Sequence, residues 1–311
     1  MALLIDVGMP EWMEDEALKT DVLALLPDAE VRTIAEPGDM SDIDMLATTR
    51  LRPDLPAQLP NLKLVQKLGA GVDTMVSHPG LAENVRITRL KPDAPAREIA
   101  EYCVTYVLRD QRNLNLHAAN QAKGIWEPVA PRRTPETTVA VLGLGHIGGR
   151  AARMFAALEF NVIGWSRSPK YTEGIDCRWG MDTLPALLAE SDYICSILPS
   201  TELTRGLFGA TVLSAMKPGS VLINAGRGDL IVEGDLIAAL NAGAPGHAVL
   251  DVLPVEPLPA GHAFWTHPAI TVTPHVSGWH LGDALKDVAE NYRRLSAGQP
   301  LLHEVDRARG Y

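Results

Sequence analysis

The stretch VAVLGLGHIGGRAARMF, residues 139–155, decides how this chain folds. It opens on a continuous apolar run, 139–142, of the kind that forms a strand covered on both faces. Gly143, Gly145 and Gly148 follow in G-x-G-x-x-G spacing, and Ile147, Ala151, Phe155 and Leu158 then recur along one face of a helix. Strand, glycine turn and helix in direct succession suit a phosphate, because glycines allow a tight turn and close backbone approach while the helix N-terminus presents unpaired N–H groups and a positive dipole end. The spacing therefore predicts that Gly143, Gly145, His146, Ile147 and Gly148 receive the pyrophosphate of a dinucleotide, and that a side chain at Gly145 obstructs it. A ligand-free glycine turn is the plain alternative; the register of all three features weighs against it.

Downstream, the strand NVIGW (161–165) ends in Ser166, Arg167, Ser168 and Lys170, with none of the acidic residues that bind ribose hydroxyls in NAD-preferring folds. Hydroxyls and cations suit a 2'-phosphate, so NADP is favoured over NAD, which stays possible. Further apolar runs at 192–198, 220–225, 247–252 and 270–274 imply a parallel sheet. Upstream, runs at 2–7, 30–34, 43–48, 63–68 and 85–88, with a helical stretch at 13–26, form a second βα series. Residues 95–117 carry Ile99, Cys103, Val107 and Leu108 at helical spacing and read as one long helix, and the proline-rich 123–138 reads as a connector. A last helix spans about 281–297.

A length of 311 residues suits two domains, and 46% hydrophobic against 21% charged residues is an ordinary globular balance. The 28 basic and 38 acidic side chains leave a net charge of -10, which argues against nucleic acid or anionic membrane as partners. Three cysteines without C-x2-C spacing argue for reduced thiols and against a metal site. An acidic N-terminal stretch and the lack of a long apolar run point to a cytoplasmic protein.

Three strands end in chemistry-bearing residues on the side where open α/β sheets bind ligands. Arg227 lies between two glycines, Glu256 lies between Pro254 and Pro257, and His275 follows Pro274. A second glycine cluster, LGAGVD at 68–73, exposes backbone N–H groups that suit a small carboxylate, although a bare βα turn explains it equally well.

Taken together, LGAGVD (68–73), GLGHIG (143–148), LPSTELTRGLF (198–208), NAGRGDLIVEGDLIAAL (224–240), LDVLPVEPLP (250–259) and TPHVSG (273–278) resemble the D-isomer-specific 2-hydroxyacid dehydrogenase family, and within it the glyoxylate/hydroxypyruvate reductase A branch. The resemblance spans nearly the whole chain. It implies that Arg227 holds the substrate carboxylate and keto oxygen, that His275 is the general acid/base and that Glu256 pairs with it. It also implies that Leu198, Pro199, Thr204, Ala225, Gly226 and Asp251 line the cofactor and that Gly69, Ala70 and Gly71 bind substrate carboxylate. Trp279, with His280, departs from the branch and is expected to shape the substrate pocket; Trp126 is a candidate for a homodimer arm.

The expected fold class is α/β with two doubly wound parallel-sheet domains. A Rossmann-type NAD(P)-binding domain at 94–281 is inserted into a flavodoxin-like substrate domain formed by 1–93 and 282–311. The implied activity is reduction of glyoxylate or hydroxypyruvate by NADPH. The rivals are a cofactor-sensing interaction protein of the same fold and a dehydrogenase for phosphoglycerate, formate or phosphite.

Overall fold

A computed structural model describes residues 1–91 and 93–307. In chain order the elements are β1 (Ala2–Ile5), α1 (Asp15–Leu25), β2 (Glu30–Thr33), β3 (Ile43–Thr48), β4 (Leu64–Lys67), α2 (Asp73–Val76), β5 (Arg86–Arg89), α3 (Asp93–Gln111) and α4 (Leu114–Ala122). They continue with β6 (Thr138–Leu142), α5 (His146–Ala157), β7 (Asn161–Ser166), β8 (Asp176–Trp179), α6 (Leu184–Glu190), β9 (Tyr193–Ser196), α7 (Ala210–Ser214), β10 (Val221–Asn224), α8 (Glu233–Ala242), β11 (His247–Leu250), β12 (Ile270–Val272) and α9 (Leu285–Ser296). The chain divides into two compact units, Met1–Ala94 with the residues from Trp279 on, and Pro95–Gly278. The junctions fall at 94/95 and 278/279, against 93/94 and 281/282 from the sequence, so Trp279 and His280 belong to the first unit.

The first unit holds a parallel sheet of order β2-β1-β3-β4-β5, the doubly wound order of flavodoxin-like folds. On one face, Leu18 and Val22 of α1 share a core with Val288 and Ala289 of α9, which is how the end of the chain returns to the first sheet. Buried Asn291 of α9 fixes that return, because its Nδ2 donates to Gln66 Oε1 (2.8 Å) and its Oδ1 accepts from Leu302 N (2.7 Å). Gln66 Oε1 also accepts from Thr88 Oγ1 at 2.8 Å, so buried polar groups on β4, β5 and α9 satisfy one another.

The second unit holds a seven-stranded parallel sheet of order β12-β11-β10-β9-β6-β7-β8. Strand order reverses between β6 and β9, the place where such sheets open a ligand crevice at their C-terminal edge. Val139 and Val141 face a core shared with Cys103 and Val107 of α3, whereas Ala140 and Leu142 face a core with Leu187 and Leu236. Burial on both faces is why β6 reads as an unbroken apolar run.

Two local expectations fail. The single helix over 95–117 is two helices: α3 stops at Gln111, Asn113 takes a left-handed φ of 54°, and α4 begins at Leu114. Asparagine tolerates that region, and polar Gln111 occupies the next step of the buried stripe, where its Nε2 donates to Arg132 O (3.2 Å) and Thr134 Oγ1 (3.1 Å). Strand β8 escaped the sequence reading because it pairs only with β7 at the sheet edge; its half-exposed Arg178 pairs with Asp176 and Glu190 instead of extending an apolar run.

Among the described residues no helix is long and apolar enough to cross a membrane, and no group of three or more His, Cys, Asp or Glu could hold a metal ion.

Candidate functional site

The glycine corner between β6 and α5 uses its three glycines for different reasons. Gly143 has φ +102°, and a Cβ there would stand 2.8 Å from Ile197 O. A Cβ on Gly148 would stand 1.8 Å from Gly143 O, so the first turn of α5 can sit on the preceding strand only with glycine there. Gly145 caps α5 in an extended conformation, and its Cβ would meet no protein atom within 4 Å. The obstruction predicted at Gly145 is therefore not with the protein; a side chain there would project into open space at the head of the helix. That space, faced by the N–H groups that a helix leaves unpaired in its first turn, fits a pyrophosphate.

At the end of β7, Ser166 is buried and its Oγ donates to Ser168 O at 2.8 Å, while Arg167 and Ser168 are exposed. Lys170 crosses to the glycine corner and donates from Nζ to Leu144 O at 2.7 Å. Cations and hydroxyls therefore adjoin the corner, and no carboxylate occupies the strand end. Beyond β9, Thr204 Oγ1 donates to Pro199 O (2.7 Å) and accepts from Thr201 N (2.9 Å), which commits this hydroxyl to closing its own loop. Leu198 is buried and its carbonyl would lie 2.6 Å from a Cβ at Gly226, so the loops after β9 and β10 touch where Ala225 and Gly226 pass.

Arg227, Glu256 and His275 leave the C-terminal ends of the adjacent strands β10, β11 and β12. Gly228 permits the contact between the first two loops, since a Cβ there would lie 2.0 Å from the Leu253 carbonyl carbon. Half-buried Arg227 donates from Nη1 to Gly226 O at 2.7 Å, and Asn224 Nδ2 donates to Arg227 O at 2.8 Å. Glu256 Oε1 accepts from Leu253 N at 2.9 Å and its Oε2 lies 2.9 Å from His275 Nδ1. Burial pushes the Glu256 carboxyl up, but the hydrogen bond and charge of His275, the Leu253 N–H and the charge of Arg227 outweigh it and hold the carboxyl below its ordinary range. With Nδ1 turned to Glu256, the imidazole of half-exposed His275 keeps Nε2 for proton exchange.

His275 itself has φ +55°. Asp251, expected at the cofactor, is 1% exposed and serves the His275 loop: Oδ1 accepts from Thr273 Oγ1 (2.6 Å) and Val276 N (2.9 Å), and Oδ2 accepts from Ser277 N (2.9 Å). Tyr102 of α3 reaches the same group, with Oη 2.7 Å from Thr273 Oγ1. Tyr102 and Thr273 were not among the expected site residues; they lie 171 positions apart, and no spacing signal joins them.

The remaining substrate-side residues lie in the first unit. Gly69 O accepts from Leu90 N (3.0 Å) and Ala70 O from Arg89 Nη1 (3.3 Å), and Gly71 precedes α2. Trp279 is 38% exposed and its carbonyl accepts from Trp12 Nε1 at 2.8 Å.

Reduction of a carbonyl by hydride needs a nucleotide seat, a cation for the developing oxyanion and a proton donor, and the glycine corner, Arg227 and His275 all follow C-terminal strand ends of the second unit's sheet. That arrangement has the residue types a dinucleotide-dependent oxidoreductase requires. The family model described as "D-isomer specific 2-hydroxyacid dehydrogenase, NAD binding domain" matches residues 104–277. Over 292 residues the chain is 37% identical to glyoxylate/hydroxypyruvate reductase A of Serratia proteamaculans, covering 92% of this chain and 93% of that one. Among solved structures, a D-isomer specific 2-hydroxyacid dehydrogenase from Xanthobacter autotrophicus Py2 in complex with NADPH and MES aligns with a TM-score of 0.92 at 37% identity, over 100% of this chain and 99% of that chain. An NADPH-dependent glyoxylate/hydroxypyruvate reductase from Sinorhizobium meliloti, in complex with NADP and sulfate, aligns at 0.91 and 33% identity with the same coverage. The chain belongs to the D-isomer specific 2-hydroxyacid dehydrogenase family.

Proposed function

We propose that this enzyme reduces a small 2-keto acid, glyoxylate or hydroxypyruvate, to the 2-hydroxy acid with NADPH. The observation that carries the reading is the convergence of Arg227, Glu256 and His275 on three adjacent strand ends, with Glu256 Oε2 2.9 Å from His275 Nδ1. NADPH, when bound, supplies the hydride to the keto carbon. Arg227 holds the carboxylate and keto oxygen with its planar fork. His275 donates its Nε2 proton to that oxygen as negative charge builds, and Glu256 keeps the ring oriented.

The glycine corner with His146 and Ile147 seats the pyrophosphate. Arg167, Ser168 and Lys170 would hold the 2'-phosphate, while buried Ser166, expected there too, instead ties down the Ser168 backbone. Leu198, Pro199, Thr204, Ala225 and Gly226 would border the nicotinamide half, and Asp251 would act there through the His275 loop it holds. In this reading the first unit is the substrate domain, with Gly69, Ala70 and Gly71 offering backbone to the carboxylate and Trp279 shaping the pocket. Trp126, 98% exposed, with exposed Ile125, Leu114 and Leu116, suits a homodimer arm. Three thiols free of disulfides agree with a cytoplasmic setting.

Initial rates for glyoxylate, hydroxypyruvate and other short keto acids with NADPH and NADH test the reading. We expect turnover of the first two with NADPH preferred. No turnover of any keto acid would leave the rival cofactor-sensing protein in its place.

A further inference from the structure

We propose that Tyr102 is a positioning residue for His275, acting through Thr273 and Asp251 to hold the catalytic loop in its left-handed turn. The proposal rests on the reading of His275 as the acid/base, and everything it uses lies within the second unit.

A histidine at φ +55° sits in the left-handed region that L side chains rarely visit, so neighbouring contacts must define it. Those contacts converge on Asp251. Its carbonyl accepts from His275 N at 2.9 Å, and its two carboxylate oxygens accept from Thr273 Oγ1 before the turn and from the N–H groups of Val276 and Ser277 after it. Residues 273 to 277 are thus gathered around one buried carboxyl.

The direction of the chain of hydrogen bonds is fixed. Thr273 has one hydroxyl proton and gives it to Asp251 Oδ1 at 2.6 Å, so toward Tyr102 Oη, 2.7 Å away, it can only accept. The phenol is therefore the donor at the head of the chain. Burial pushes its ionisation far up, with the Thr273 bond opposing, so the proton stays on Tyr102 throughout the working pH range. Tyr102 lies on α3, which packs against the sheet through Cys103 and Val107, and its ring packs against Tyr106 at 4.7 Å between centroids, tilted by 54°. A rigid helix thereby sets the position of Thr273 Oγ1, two residues before the imidazole that must meet Glu256.

Tyr102→Phe keeps the ring and its packing and removes only the donor. We expect kcat for glyoxylate reduction to fall about three- to tenfold, the effect of one net hydrogen bond, with KM for glyoxylate and Kd for NADPH unchanged. Thr273→Val should fall at least as far, Thr273→Ser should recover, and the double variant should be no worse than Thr273→Val alone. The imidazole Nδ1 proton held between His275 and Glu256 gives a second readout by NMR: it should exchange faster in Tyr102→Phe and Thr273→Val. That proton judges the clasp even if the wild type turns over no keto acid, so failure of the proposed function and failure of this proposal are separable. Wild-type kcat and exchange in Tyr102→Phe, with or without a lower Tm, would overturn it, as would losses that add in the double variant.

Discussion

The glycine corner and the His275 loop are both strand-end turns of one sheet, yet they are built by opposite means. The corner depends on missing side chains: Gly143 and Gly148 exist because Cβ atoms there would meet backbone oxygens at 2.8 and 1.8 Å. The His275 loop depends on side chains reaching in from elsewhere, Asp251 from just past β11, Glu256 from the loop that follows and Tyr102 from α3. A turn made by omission is local and tolerates one substitution poorly. A turn made by recruitment is distributed, so each partner carries a fraction of the effect.

The largest expected effect breaks the recruited loop at its centre. His275→Gln should lower kcat for keto-acid reduction by about 10²–10⁴, the usual worth of a positioned acid/base, while NADPH binding followed by fluorescence stays as in the wild type. An equal loss of cofactor affinity would contradict the division of labour.

The two kinds of glycine in the corner should then separate. Gly148→Ala drives a Cβ into Gly143 O and should destabilise the protein by about 1–3 kcal/mol, read as a lower denaturation midpoint. Gly145→Ala meets no protein atom, so it should melt like the wild type and lose at least tenfold in NADPH affinity by crowding the phosphates. If Gly145→Ala binds NADPH normally, the corner does not seat a pyrophosphate.

Arg167→Ala should weaken NADPH by about tenfold, a charge-assisted hydrogen bond, and leave NADH unaffected in kcat/KM. Equal losses with both cofactors would remove Arg167 from the 2'-phosphate.

Glu256 gives a pH test of smaller size. Its carboxyl is held below its ordinary value, so the stability that Glu256 contributes is present above roughly pH 4.3, the reference value, and is lost as pH falls through the depressed value. NMR titration of the carboxyl carbon should therefore show a midpoint below that reference. Glu256→Gln should cost several-fold in kcat and erase this pH dependence, and an unshifted midpoint would uncouple the pair.

Much of this was legible in the sequence, and the two turns show why the rest was not. Local rules suffice for the corner: an apolar strand, three glycines in register and a helical stripe identify it before any coordinates. Arg227, Glu256 and His275 stood out as candidates because each follows an apolar run and is flanked by glycine or proline, while the roles proposed for them came from the family resemblance. Strand β8 carried no apolar run to read, and the end of α3 at Gln111 turns on a buried amide finding partners at Arg132 and Thr134. The clasp on His275 joins residues 102, 251 and 273, which chain spacing does not connect.

The most direct test is a crystal structure of the enzyme with NADP and oxamate, an unreactive keto-acid analogue. We expect the Arg227 guanidinium to pair with the oxamate carboxylate and carbonyl oxygen, and His275 Nε2 to lie within about 3.2 Å of that carbonyl oxygen. Oxamate bound away from both side chains, with NADP in the glycine corner, would contradict this.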